Sequence, residues 1–84
     1  MIICWDEPKR AANLDKHGLD FAAVDLDFFA EALVLPAKKG RFRAIGYLAD
    51  VLIVVVIFAP LGREAVSIIS LRAAKAKERS LLNG

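Results

Sequence analysis

Few side chains in this 84-residue sequence can do chemistry: one His, His17, one Cys, Cys4, and twelve Lys and Arg against ten Asp and Glu. His17 is the only group that titrates near neutrality when unperturbed, which makes it a candidate proton donor or acceptor. It stands directly before Gly18, and a ring beside the last carbonyls of a helix accounts for it equally well. A single His, a single Cys and scattered carboxylates give no metal-ligand spacing. There is neither a Gly-rich phosphate loop nor a Ser–His–Asp set, so no metal and no cofactor is expected. The cations offer more. Lys38, Lys39, Arg41 and Arg43 run closely together ahead of Tyr47, Arg63 stands alone, and Arg72, Lys75, Lys77 and Arg79 follow. An Arg fork grips phosphate oxygens in pairs, and a Tyr ring can stack on a base. A solvated sheet edge is the plain alternative for the same charges.

The net charge of +2 hides an asymmetry, because residues 1–31 balance at −4 and residues 32–84 at +6. A basic remainder of this size attracts polyanions, unless the two halves neutralise each other across the fold. Hydrophobic content of 57% with 26% charge excludes a disordered chain. Cys4 has no intrachain partner and is expected to pack as a small hydrophobe. The longest apolar run, Val51 to Ala59, is about half of what a membrane helix needs. The opening residues lack the basic start of a secretory signal. The expectation is a single cytoplasmic domain over residues 1–84 with no membrane association.

The elements that must position these cations are legible in outline. A short strand from Ile2 to Trp5 leads to Asp6, a good N-cap, with Pro8 in the first helical turn and Gly18 as the stop. Asp20 caps a second helix carrying Phe21, Val24 and Phe28 on one stripe and ending near Glu31. From Ala32 the period becomes two. "ALVLP" is a strand and "AKKG" a basic turn. In "RFRAIGYL", Phe42, Ala44, Gly46 and Leu48 point one way; Arg41, Arg43, Ile45 and Tyr47 point the other. Asp50 marks a reversal. Val51 to Ala59 has no polar face and reads as a central strand buried on both sides. After the "PLGRE" turn, "AVSIISL" is a further strand, and Arg72 opens a last helix through Leu82. The fold class is α+β: a short strand and two helices, a four-stranded antiparallel meander, and a C-terminal helix.

The sequence resembles the BrnT family, toxins of type II toxin–antitoxin systems with a RelE-like ribonuclease fold. The likeness rests on Trp5, Asp6, Lys9, Asn13, His17, Gly18 and Phe21 in the first part. In the second it rests on Arg43, Gly46, Val54 to Ile57, Ile68, Ile69, Ser70, Arg72, Ala74, Glu78 and Arg79. The resemblance implies metal-independent RNA cleavage that inhibits translation, with Arg43, Arg72, Arg63 and His17 as candidate catalytic residues. Lys38, Lys39, Arg41, Tyr47 and Lys75 are then RNA contacts. It also implies a cognate ribbon-helix-helix antitoxin, with DNA reached only through the antitoxin complex. Ser67 and Ala73 stand where family members usually carry basic residues, which leaves an alternative: a catalytically weak toxin homologue that serves as a binding module or co-repressor.

Overall fold

The computed structural model describes residues 1–82. Its elements are β1 (Ile2–Trp5), α1 (Glu7–His17), α2 (Leu26–Glu31), β2 (Leu33–Pro36), β3 (Phe42–Leu48), β4 (Leu52–Leu61), β5 (Ala65–Ala73) and α3 (Ala76–Leu82). α1 begins and ends where the punctuation requires. Glu7 and Pro8 occupy its first turn, and Gly18 takes a left-handed φ of 70° while its N–H bonds the Leu14 carbonyl at 2.8 Å. A residue without a Cβ adopts that conformation at little cost. Asp6 holds the N-cap position, but its side chain makes no capping bond.

The expected second helix is two pieces. Asp20 accepts from the Ala22 N–H and closes one 3₁₀ turn, Phe21–Ala23. Val24 is extended, and Asp25 then accepts from the Phe28 N–H to start α2 afresh. Aspartates favour caps over helix interiors, so the second cap interrupts the run begun by the first. Phe21, Val24 and Phe28 nevertheless all reach the core.

The sheet has five strands in the order β1-β5-β4-β3-β2. β2 to β5 form the expected antiparallel meander. β1 adds a fifth strand, parallel to β5, with Ile2 opposite Ala65 and Trp5 opposite Ile68. The sheet is therefore mixed rather than a four-stranded meander with a detached strand. β4 lies at its centre, and Val54, Val55 and Val56 are fully buried. Val54, Val56 and Phe58 join Phe21, Phe28, Ala44, Ile68 and Leu71 in the larger core. Val55 faces the other way, with Ile45 and Ala74. Each buried Val, Leu, Ile or Phe among them contributes about 1.5–3 kcal/mol. Phe29 and Phe58 add an edge-on ring pair at 5.3 Å.

Three boundaries differ from the sequence reading. Val51 is 84% exposed and belongs to the β3–β4 turn, where Ala49 and Asp50 take φ of 53° and 59°; left-handed pairs of this kind match the twist of a tight hairpin. β4 runs on through Pro60 to Leu61. Arg72 does not open the last helix. It continues β5 opposite Val55, followed by Ala73 opposite Val54, and α3 begins at Ala76. The ladder to β4 holds both residues in strand conformation.

Gly46 marks where α2 meets the sheet. A Cβ there would lie 3.1 Å from a ring carbon of Phe28 and 3.3 Å from the Ala32 Cβ, so any side chain would require the ring or Ala32 to shift by a few tenths of an ångström. Two outcomes test this architecture. The amides of Val54 to Val56 should exchange among the slowest in the protein, and exchange as fast as at Lys38–Gly40 would contradict it. Val55→Asp should abolish the cooperative melt, because an unpaired buried carboxylate costs several kcal/mol against a total stability of roughly 5–15 kcal/mol.

Candidate functional site

Strand register decides which cations meet. Arg72 stands opposite Val55 and Val55 opposite Ile45, while Arg43 stands opposite Ile57. Partners across a ladder point to the same face. Arg43 and Arg72 therefore share the α3 side of the sheet, with β4 between their strands. α3 lays Glu78 between them. Arg72 donates from Nη1 to Oε1 at 2.8 Å and from Nη2 to Oε2 at 2.9 Å, and Arg43 Nη1 reaches Oε2 at 3.4 Å. The Lys75 N–H donates to Oε1 at 2.9 Å. Glu78 is the third residue of α3 and caps the N–H just before it, one half of a capping box.

The Glu78 side chain is 8% exposed. Hydrogen bonds from Arg72, then the Lys75 N–H, hold its carboxyl down at about 2 against the opposing effect of burial. Glu78 in turn raises the Arg72 guanidinium. The carboxylate is thus ionised well below the usual carboxylate range and fixes both arginines.

The arginines retain donors. Arg72 spends its second Nη1 hydrogen on the Ala73 carbonyl at 3.3 Å. Its Nε–H and the second Nη2 hydrogen have no partner among the described residues. That pair forms the side-on fork suited to two phosphate oxygens. Among the described residues, Arg43 bonds only Glu78. Arg43, Arg72, Lys75, Ala76, Lys77 and Glu78 line an open hollow of about 490 Å³. Four cations against one carboxylate leave it positively charged.

Lys75 lines the hollow beside Arg43 and Arg72. The others lie elsewhere. Lys38 and Lys39 sit on the short turn between β2 and β3, and exposed Arg41 precedes β3. Arg63 is in the β4–β5 turn, at that same end of the sheet and roughly 25 Å along β5 from Arg72. His17 is exposed at the end of α1, whose contacts run to β5 and the Phe21–Ala23 turn. Tyr47 shares the Arg43 face but sits one row beyond Arg72, beside Asp25, Asp27, Glu31 and Asp50. The structure thus does not gather Arg63 or His17 with the other two candidate catalytic residues, because strand register and the layer of α1 keep them apart. From the sequence, an Arg72–Glu78 pair is the plain structural alternative to a catalytic Arg72, and the structure contains that pair; that Glu78 also organises Arg43 and the Lys75 N–H was missed. Its signal was its place three residues after Lys75.

Among the described residues, no three His, Cys, Asp or Glu side chains gather as a metal-binding group, and no helix is long and apolar enough to cross a membrane.

Fold and site together define a small α+β protein with a cationic hollow in which two strand-borne arginines meet one helix-borne carboxylate. The family model for the ribonuclease toxin BrnT of type II toxin–antitoxin systems matches residues 5–78, and the chain belongs to that family. It is 52% identical to the Brucella abortus ribonuclease toxin BrnT, known from a crystal structure, with a TM-score of 0.85 over 89% of this chain and 97% of that one. A comparison with curated proteins gives no match. Nothing in these findings favours the alternative of a non-catalytic binding module.

Because the folded-state value of Glu78 lies below its ordinary 4.5, its contribution to stability is fully present above that value and is lost as pH falls towards 2. Acid titration of the melting midpoint should lose on the order of 2 kcal/mol over that window, after allowance for solvent around Arg72. Glu78→Gln should flatten this part of the curve. An unchanged slope in the variant would contradict the assignment.

Proposed function

We propose that this toxin cleaves RNA with the scissile phosphate held over Arg43 and Arg72. The observation that carries the reading is the convergence of two strand-borne arginines on one buried carboxylate, with a side-on fork of Arg72 left unspent. In the cleavage step the 2′ oxygen attacks the adjacent phosphorus and loses its proton, and the bond to the 5′ oxygen breaks as that oxygen gains one. Negative charge grows on the non-bridging oxygens between the two events. Guanidinium groups fixed in advance stabilise that charge without reorganising. Glu78, with its carboxyl near 2 and its oxygens engaged, is a poor base; its part is to hold the forks. Lys75 adds charge at the rim. His17 is assigned to capping α1.

Lys38, Lys39, Arg41 and Arg63 fit contacts with flanking phosphates, and Tyr47 a base on the same face. Translation then falls because its RNA is cut, and the place of action is the cytoplasm. Arg72→Ala should lower kcat by about 10²-fold, the scale of losing one charge-stabilising donor. Arg72→Lys should recover only part, since Lys keeps the charge without the fork. Arg63→Ala should raise KM and leave kcat near wild type. Single-turnover cleavage of a short oligoribonucleotide separates these outcomes, and full activity in Arg72→Ala would refute the site.

The antitoxin of this reading is a ribbon-helix-helix protein that carries the complex to DNA and covers the hollow with an acidic segment. The balance of +6 over residues 32–84 supports the acidic contact, and the ribbon-helix-helix type rests on the family resemblance. Stopped-flow association should slow as salt rises, because charges are screened over about 10 Å at 0.1 M. A salt-independent on-rate would exclude an acidic contact.

A further inference from the structure

β1 ends at Trp5 opposite Ile68, so β5 runs on past its neighbour. At Leu71 that bare edge needs a donor and an acceptor, and Asn13 of α1 provides both. Its Oδ1 accepts from the Leu71 N–H at 3.0 Å, and its Nδ2 donates to the Leu71 carbonyl at 2.9 Å. The second Nδ2 hydrogen goes to the Leu19 carbonyl at 3.0 Å. Asn13 is 7% exposed, the one buried residue of α1. Its amide acts as the peptide group of a missing strand.

The position along β5 matters. The Leu71 carbonyl belongs to the peptide unit whose nitrogen is that of Arg72. Pinning that carbonyl fixes the plane from which the Arg72 side chain departs. Just upstream, β5 is irregular: Ser70 pairs with Ile57 but Ile68 pairs with Phe58, leaving Ile69 as an extra residue. Such a bulge loosens the ladder and re-aims side chains. The Asn13 clamp lies between this bulge and Arg72. Glu78 holds the guanidinium from one side of the sheet, and Asn13 holds the backbone from its edge.

We infer that Asn13 is a positioning residue for RNA cleavage, acting through Arg72 by fixing the Leu71 peptide. The inference rests on the reading that Arg72 carries catalysis. Misplacing a group by about 1 Å can cost up to about 10²-fold in rate, while flanking phosphate contacts would leave substrate affinity largely intact.

The test is a double-mutant cycle with Asn13→Asp, Arg72→Ala and the combined variant, assayed well below each melting midpoint. Asn13→Asp keeps the acceptor for the Leu71 N–H and removes the donor to its carbonyl. It should lower kcat by about tenfold or more with KM close to wild type, and it should have no further effect in the Arg72→Ala background. Asn13→Ser takes its place if the aspartate chain does not fold. Wild-type kcat with only a lowered melting midpoint would overturn the inference, as would an equal fall in kcat with and without Arg72. If Arg72→Ala alone leaves cleavage intact, the underlying reading fails first, and that result is distinct from the other two.

Discussion

The carboxylate of Glu78 is the fixed point of this structure. Two guanidinium groups on one sheet face repel, and α3 is too short to stand without tertiary support. One buried anion answers both needs, binding Arg72 through both oxygens, Arg43 through one, and the backbone N–H that opens α3. Removing one partner from such a set is costly because the others are left uncompensated, whereas replacing the whole set by apolar residues often costs nothing. The charged set is therefore not explained by stability alone, and the proposed phosphate chemistry supplies a further requirement.

That requirement shapes the surroundings. Glu78 neutralises only part of the local charge, so the hollow stays cationic, and both guanidinium groups are already held in place for the proposed RNA substrate. Preorganisation of this kind is where electrostatic catalysis gains most, since no dipole has to turn during the reaction. The other face of the sheet provides rigidity. Phe21, Phe28, Val54, Val56 and Leu71 pack there as a closed core, and Asn13 ties α1 to the strand that carries Arg72. A site assembled from β3, β5 and α3 thus inherits the stiffness of the central strand between its two arginines.

Sequence alone went far where one local rule governed the outcome. β4 was legible because Val54, Val55 and Val56 leave no polar face, and α1 because Pro8 and Gly18 mark its ends. It stopped where two rules competed. Asp25 offered a second cap inside an apolar stripe and split the second helix. Arg72 read as a helix start by its basic neighbours, yet the ladder to Val55 kept it in β5. The parallel pairing of β1 with β5 joins segments far apart in the sequence, and no short-range pattern encodes it. Arg43 and Arg72 could be picked out as candidate phosphate ligands by side-chain type. Their meeting at Glu78 depends on strand register, and the exclusion of Arg63 and His17 from that meeting depends on it equally.

The central claim is that RNA is held for cleavage over Arg43 and Arg72. A crystal structure with an oligoribonucleotide carrying one 2′-deoxy nucleotide at the cleavage point would examine this most directly, because the missing 2′ oxygen stops the reaction while leaving the phosphates intact. The account predicts non-bridging oxygens of the phosphate after that nucleotide within hydrogen-bond distance of the Arg72 Nε and of Arg43, with Glu78 still bound to the Arg72 Nη atoms. That phosphate bound instead at the Lys38–Arg41 end of the sheet, with the hollow empty, would contradict it.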